Sequence, residues 1–221
     1  MKAHSERVAG KNFRPFRGKP LYRWMLDTLL SLPEVAQVVI DTDARELLAS
    51  HGTFETSDLR ILDRPEELCG DHVSMNRILE HDIASIPADL YLMTHTTNPL
   101  LSAASVRGAF EALHKQREAS DCDSLFSVNR FQTRFYREDG SAVNHDPADL
   151  IRTQDLEPWY EENSNLYLFT RESFAATGAR IGVCPMLFET PLAESVDIDD
   201  AAGWRLASLI ACGLEEEEAA S

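Results

Sequence analysis

A chain of 221 residues, 43% of them hydrophobic, can bury one sizeable core, and a single domain over 1–221 is expected. Its formal net charge of −16 argues against nucleic acid and anionic membrane surfaces as partners. No run approaches the roughly 18 apolar residues of a membrane span, and the start lacks the apolar segment of a signal peptide, so a soluble, cytoplasmic protein is expected.

The charge is unevenly placed. Through Arg23 the chain carries seven basic residues (Lys2, Arg7, Lys11, Arg14, Arg17, Lys19, Arg23) against Glu6, a balance of +6 that leaves −22 for the rest. A local cationic patch on an acidic body suits a small polyanion such as a nucleoside triphosphate; a solvated basic surface would look the same. Cys69, Cys122, Cys184 and Cys212 are widely spaced with no CxxC pair, which suggests neither a zinc site nor a disulfide framework.

In chain order, "PLYRWMLDTLLSLP" predicts a helix, "AQVVIDTD" a buried strand and "DARELLASHG" a helix closed by glycine. Next come a helix in "HVSMNRILEHDIASI", a strand in "DLYLMTHT", a serine-capped helix in "SAASVRGAFEALHKQRE" and a strand in "SLFSVN". This alternation predicts an α/β fold with a mostly parallel sheet and helices on both faces. Ligands of such sheets sit at the carboxyl ends of the strands. The rhythm breaks over about 130–163, where "TRFYREDGSAVNHD" suggests a hairpin or irregular excursion and "PADLIRTQDLEPWYEEN" a polar loop, together a dimerisation arm or lid. "SNLYLFT" and "PMLFETP" then resume strands, and "AESVDIDDAAGWRLASLIACGL" runs from strand into a final helix.

Three stretches besides the cationic start could carry chemistry. In "SVDIDD" an extended backbone sends Asp197 and Asp199 to one face and Val196 and Ile198 to the other. Such a carboxylate pair fits Mg²⁺ shared with substrate phosphates, with Asp200 left to cap the following helix; the same acids also suit capping alone. "MTHTTNPLL" presents His95, Thr96, Thr97 and Asn98 at a strand's carboxyl end, a place for hydrogen bonds to a sugar. "ILDRPEELCGDHVS" sets Arg64 in a proline-stiffened loop and gathers Asp71, His72 and Ser74 at a helix start, which favours an anion or acts as an ordinary cap. The opening lacks Walker A spacing but offers Gly10 and flexible cations.

Taken together, "KAHSERVAGKN", "DRPEEL…D", "HTTNPLL", "PWYEENSNLYLFTRE" and "SVDID", in this order over nearly the whole chain, resemble the acylneuraminate cytidylyltransferases (CMP-sialic acid synthetases), with the CMP-KDO synthetases as close relatives. The resemblance implies a Rossmann-like nucleotidyltransferase fold and a homodimer whose excursion reaches the partner's sugar site. It implies Mg²⁺ as cofactor and, as reaction, CTP plus a 2-keto sugar acid giving a CMP-sugar and pyrophosphate. By position, Lys2, Ser5, Arg7 and Lys11 would hold the triphosphate, and Arg64, Asp71 and Ser74 the base and ribose. His95, Thr96, Thr97 and Asn163 would face the sugar, Asp197 and Asp199 would hold the metal, and Lys2, Arg7, Lys11 and Asp199 would act at the reacting phosphate.

The sequence departs from the family pattern at Lys2 (usually arginine), Ala9 (proline), His95 (glutamine) and Leu101 (arginine). The family's apolar strand before the cationic loop is expected to be missing, because Met1 falls inside that loop. Two other readings stay open: CMP-KDO synthesis, and a nucleotide-binding homologue that has lost activity.

Overall fold

The computed structural model describes residues 1–3, 8–70 and 72–220. After a left-handed turn at Gly10 the chain forms the short strands β1 (Pro15–Phe16) and β2 (Lys19–Pro20), an antiparallel pair that leads into helix α1 (Leu21–Leu30). Strand β3 (Val38–Thr42), helix α2 (Arg45–Ser50) and strand β4 (Leu59–Asp63) form one crossover unit, with β3 and β4 parallel from Val38↔Leu59 to Thr42↔Asp63. Helix α3 (Met75–Ser85), strand β5 (Tyr91–Thr94), helix α4 (Ala103–Ala119) and strand β6 (Ser124–Phe131) follow. Strand β7 (Trp159–Phe169), helix α5 (Arg171–Thr177), strand β8 (Pro185–Glu189) and helix α6 (Ala201–Ala220) complete the chain.

Four strands form the larger sheet in the order β5-β7-β6-β8. The α/β expectation stands: β5, β6 and β8 share one direction, and β7 alone runs against it, antiparallel to both its neighbours, which makes the sheet mixed. The physical reason is the excursion. Leaving β6 at Phe131 and returning at Trp159, the chain pairs those two residues directly, as a long hairpin must. Among the described residues no ladder joins the β3–β4 pair to this sheet.

Alternation along β7 explains why helices cover both faces. Leu166 and Leu168 enter a core with Val106, Ala109 and Leu113 of α4, while Tyr167 and Phe169 meet Leu79 and Ile83 of α3 and Phe174 of α5. Val38, Leu59 and Ile61 pack on Tyr22 and Leu26 of α1 and Leu48 of α2. A fourth cluster joins Phe16 and Leu21 to Ile198 and to Ala207 and Ala211 of α6.

Several sequence expectations are corrected in detail. β4 and α5 were not anticipated, since "LRILD" is too short and too charged to show a strand period and α5 has only seven residues. The segment before α6 was expected to be a strand; residues 195–199 form no regular element and belong to no sheet. The expected polar loop through Asn163 is cut short because β7 already begins at Trp159. Within the excursion Tyr136 bridges Ala142 around Gly140, whose φ of 80° only glycine adopts easily, so the hairpin expectation holds there. No helix among the described residues is long and apolar enough to cross a membrane.

Candidate active site

Three segments far apart in sequence are bonded to one another beside the carboxyl end of β5. Lys11, in the turn after Gly10, is buried; its Nζ donates to the Ile198 carbonyl at 2.7 Å and lies 3.3 Å from Asp199 Oδ1. Neighbouring Asn12, also buried, donates through Nδ2 to the Lys2 carbonyl at 2.9 Å, and its Oδ1 accepts from Thr96 Oγ1 at 2.8 Å. The Ile198 amide in turn donates to the Thr97 carbonyl at 2.8 Å. The cationic opening, the threonine turn and the acidic segment therefore form one constellation.

Local structure explains how the acidic pair is presented. Ile198 is wholly buried, Asp197 is exposed and Asp199 is partly exposed, the alternation expected of extended backbone. Asp200 Oδ1 accepts from the Gly203 amide at 2.8 Å and its carbonyl from the Trp204 amide, so Asp200 is the cap of α6, as the sequence suggested. The helix start approaches so closely that a Cβ on Gly203 would stand 2.8 Å from the Asp197 carbonyl oxygen. Glycine is required there by space.

His95 sits among these groups. Its pKa is lowered to about 4, first by burial and next by the positive charge of Arg180, with Lys11 acting in the same direction and Asp199 opposing. The ring is thus a neutral hydrogen-bonding group. Asn98, in the same turn, is fully buried with neither amide atom bonded to protein, so it faces the interior rather than a cleft.

The remaining candidates occupy two flanks. On one, an open cleft of about 550 Å³ lies at the carboxyl ends of β3 and β4, lined by Asp43, Asp63, Arg64 and the start of α2. Arg64 contributes only in part, since its guanidinium is buried and donates to Asp41. Ser74 caps α3, accepting from the Asn76 amide at 3.3 Å. On the other flank, Asn163 is buried and donates to Asn129 Oδ1 at 3.0 Å and Thr190 Oγ1 at 2.8 Å. Ser164 beside it has a φ of 59°, and the β6–β7 register slips between Phe126 and Val128, a bulge at a place where strain commonly marks function. Ser5, Arg7 and Asp71 lie outside the described residues.

Asn12 was read from the sequence only as a polar group of the cationic start, and Arg180 was not singled out at all. Asn12 joins two of the segments, and Arg180 stacks over Tyr167 at 3.8 Å and pairs with Glu162 at 3.0 Å while its charge acts on His95. Asn12 stood visibly in the cationic loop. Arg180 had no sequence signal, because only the return of the chain after α5 brings it there.

The backbone resembles solved nucleotidyltransferases. A CMP:2-keto-3-deoxy-manno-octonic acid synthetase complexed with CTP superposes with a TM-score of 0.65 at 16% identity, covering 98% of this chain and 96% of that one. A 4-diphosphocytidyl-2C-methyl-D-erythritol synthase from Anaerococcus prevotii gives 0.64 at 12% identity, covering 94% and 92%. These likenesses define an α/β nucleotidyltransferase fold. A family model described as cytidylyltransferase matches residues 1–195, and the chain belongs to that family. It is 26% identical over 213 residues to an N-acylneuraminate cytidylyltransferase of Oncorhynchus mykiss, covering 92% of this chain but about half (47%) of that protein. It is also 26% identical over 223 residues to a CMP-N,N'-diacetyllegionaminic acid synthase of Legionella pneumophila, covering 93% of this chain and 90% of that one.

Proposed function

We propose that this chain transfers CMP from CTP to a nonulosonic acid of the sialic-acid type and releases pyrophosphate. The observation that carries the reading is the bonded junction of Lys11 with Ile198 and Asp199, which sets a cation of the opening loop against the acidic segment. The two 26%-identical relatives are named for acids of this class, which supports the choice of acceptor.

In this reading the anomeric hydroxyl of the sugar acid attacks the α-phosphorus, and the bond to the pyrophosphate oxygen breaks as the new P–O bond forms. Catalysis is positioning and charge neutralisation. Lys2, Ser5, Arg7 and Lys11 hold the triphosphate. Arg64, Asp71 and Ser74 flank base and ribose, and the half-open cleft at the ends of β3 and β4 gives the nucleotide room. Asp197 and Asp199 are oxygen donors that flank the buried Ile198, a set that fits Mg²⁺. Bound there, the ion would neutralise charge at the reacting phosphate. Neutral His95, Thr96 and Thr97 offer hydrogen bonds to the sugar, with Asn163 on the neighbouring strand.

The excursion fits a homodimer: Tyr136, Leu150, Ile151, Trp159 and Tyr160 are large apolar side chains left exposed on it and on the strand that follows. Sedimentation of the purified chain would read that state directly.

The deciding experiment is pyrophosphate release from CTP and Mg²⁺ across sialic, legionaminic, pseudaminic and KDO acids. Release with a nine-carbon acid supports the proposal. Release with KDO alone would move the chain to the eight-carbon acceptor, and silence with all four alongside tight CTP binding would favour a nucleotide-binding protein without turnover.

A further inference from the structure

A second group of metal-ligating side chains lies where β3 meets α3. Asp41 stands near the end of β3, and His81 and Asp82 are consecutive residues of α3. One ligand atom from each lies within 4.8 Å of the others. His81 Nδ1 is 3.5 Å from Asp82 Oδ1 and 3.9 Å from Asp41 Oδ2. We propose that Asp41, His81 and Asp82 bind a first-row divalent cation of the Mn²⁺ kind, which ties the β3–β4 unit to the helix packed on the larger sheet.

The decisive atom is Asp41 Oδ2. The Asp41 side chain is only 6% exposed, and its Oδ1 already accepts from Arg64, yet Oδ2 is buried with no hydrogen-bond partner. A buried carboxylate oxygen without a partner carries a large desolvation cost unless a cation or proton reaches it. Arg64 pairs with Asp41, and the carboxylate of Asp82 lies in the same cluster.

The donor set is specific enough to name a class of ion. Two carboxylates and one imidazole favour Mn²⁺ or Zn²⁺ over Mg²⁺, which seldom takes nitrogen. Ligands about 2.1 Å from a shared ion lie up to about 4.2 Å apart, so side-chain shifts below about 1 Å would close the site. His81 and Asp82 are 32% and 22% exposed, which leaves an entry path and room for waters to complete the coordination.

The test uses the full chain, stripped with chelator and titrated with Mn²⁺ in the absence of nucleotide. The background is the Asp197→Asn/Asp199→Asn double variant, so that success or failure of the proposed catalytic metal pair does not enter. Electron paramagnetic resonance should count one bound Mn²⁺ per chain, and the thermal midpoint should rise with Mn²⁺ concentration, as any ligand of the folded state requires. Adding His81→Gln or Asp82→Asn, each checked for folding by circular dichroism, should weaken binding at least about tenfold. No uptake at millimolar Mn²⁺, or uptake indifferent to both substitutions, overturns the proposal. So does an infrared carboxylic acid band at neutral pH that is abolished by Asp82→Asn, which would put a shared proton where the ion was placed.

Discussion

The ammonium of Lys11 donates to the main-chain carbonyl of Ile198, 187 residues later, at 2.7 Å. A buried charged donor on a main-chain acceptor is worth more than a neutral bond, and removing it strands the acceptor. Lys11→Met should therefore lower the unfolding free energy by about 1–3 kcal/mol in urea denaturation. Turnover should fall further than this loss of stability explains at a temperature where the variant remains folded. Unchanged stability would show that water replaces the lysine at no cost.

Adjacent acids in "DIDD" are expected to separate by role. Asp200 caps α6, so Asp200→Ala should cost about 1 kcal/mol of stability and leave turnover near that of the parent chain. In the proposed reaction Asp199→Asn should cut kcat by about a hundredfold or more, with a much smaller change in CTP affinity, because the role proposed for it is on charge developed at the reacting phosphate. Steady-state pyrophosphate release and CTP titration calorimetry read the two effects separately. Equal losses from both substitutions would contradict the division.

What could be read from the chain beforehand follows from the range of the forces involved. Periodicity and caps are local, so α1, α4, β3, β5 and the capping role of Asp200 were legible; the facing of Asp197 and Asp199 away from Ile198 followed from the two-residue alternation. Contacts between distant segments were not. Arg64 looks like a free cation in "DRPEEL", but burial commits it to Asp41, and Asn98 looks like a surface donor until the turn folds it inward. The antiparallel course of β7 was hidden for a similar reason. It depends on where a 27-residue excursion returns, between Phe131 and Trp159, and no residue pattern inside the loop records that.

His95 should make stability depend on pH in a defined direction. Its folded pKa is lowered from 6.5 to about 4, so between these values the unfolded chain binds a proton that the folded chain does not. Stability from this group is complete above about pH 6.5 and is lost as pH falls toward 4. The bound is about 2 kcal/mol between pH 7 and pH 5, an upper limit because the ring keeps some solvent contact. Urea unfolding at the two pH values, compared for the parent chain and His95→Gln, isolates the contribution. An equal pH dependence in both would show that the ring titrates normally in the folded protein.

Two glycines of α6 offer a matched pair in which opposite terms win. Alanine gains about 1 kcal/mol over glycine within a helix when nothing obstructs it. At Gly213 a Cβ would meet nothing within 4 Å, so Gly213→Ala should raise stability by up to about 1 kcal/mol and leave pyrophosphate release unaltered. At Gly203 the same Cβ would stand 2.8 Å from the Asp197 carbonyl oxygen and 3.5 Å from the Ile198 Cα, both main-chain atoms that cannot swing aside. Overpacking of this kind costs about 1–3 kcal/mol, enough to cancel or exceed the helical gain. Relief requires moving the segment that carries Asp197 and Asp199, so Gly203→Ala should depress turnover strongly even where its net stability barely changes. Thermal melts and turnover measured side by side on the two variants check both signs, and a Gly203→Ala chain as active as Gly213→Ala would mean that the acidic pair need not be held in this position.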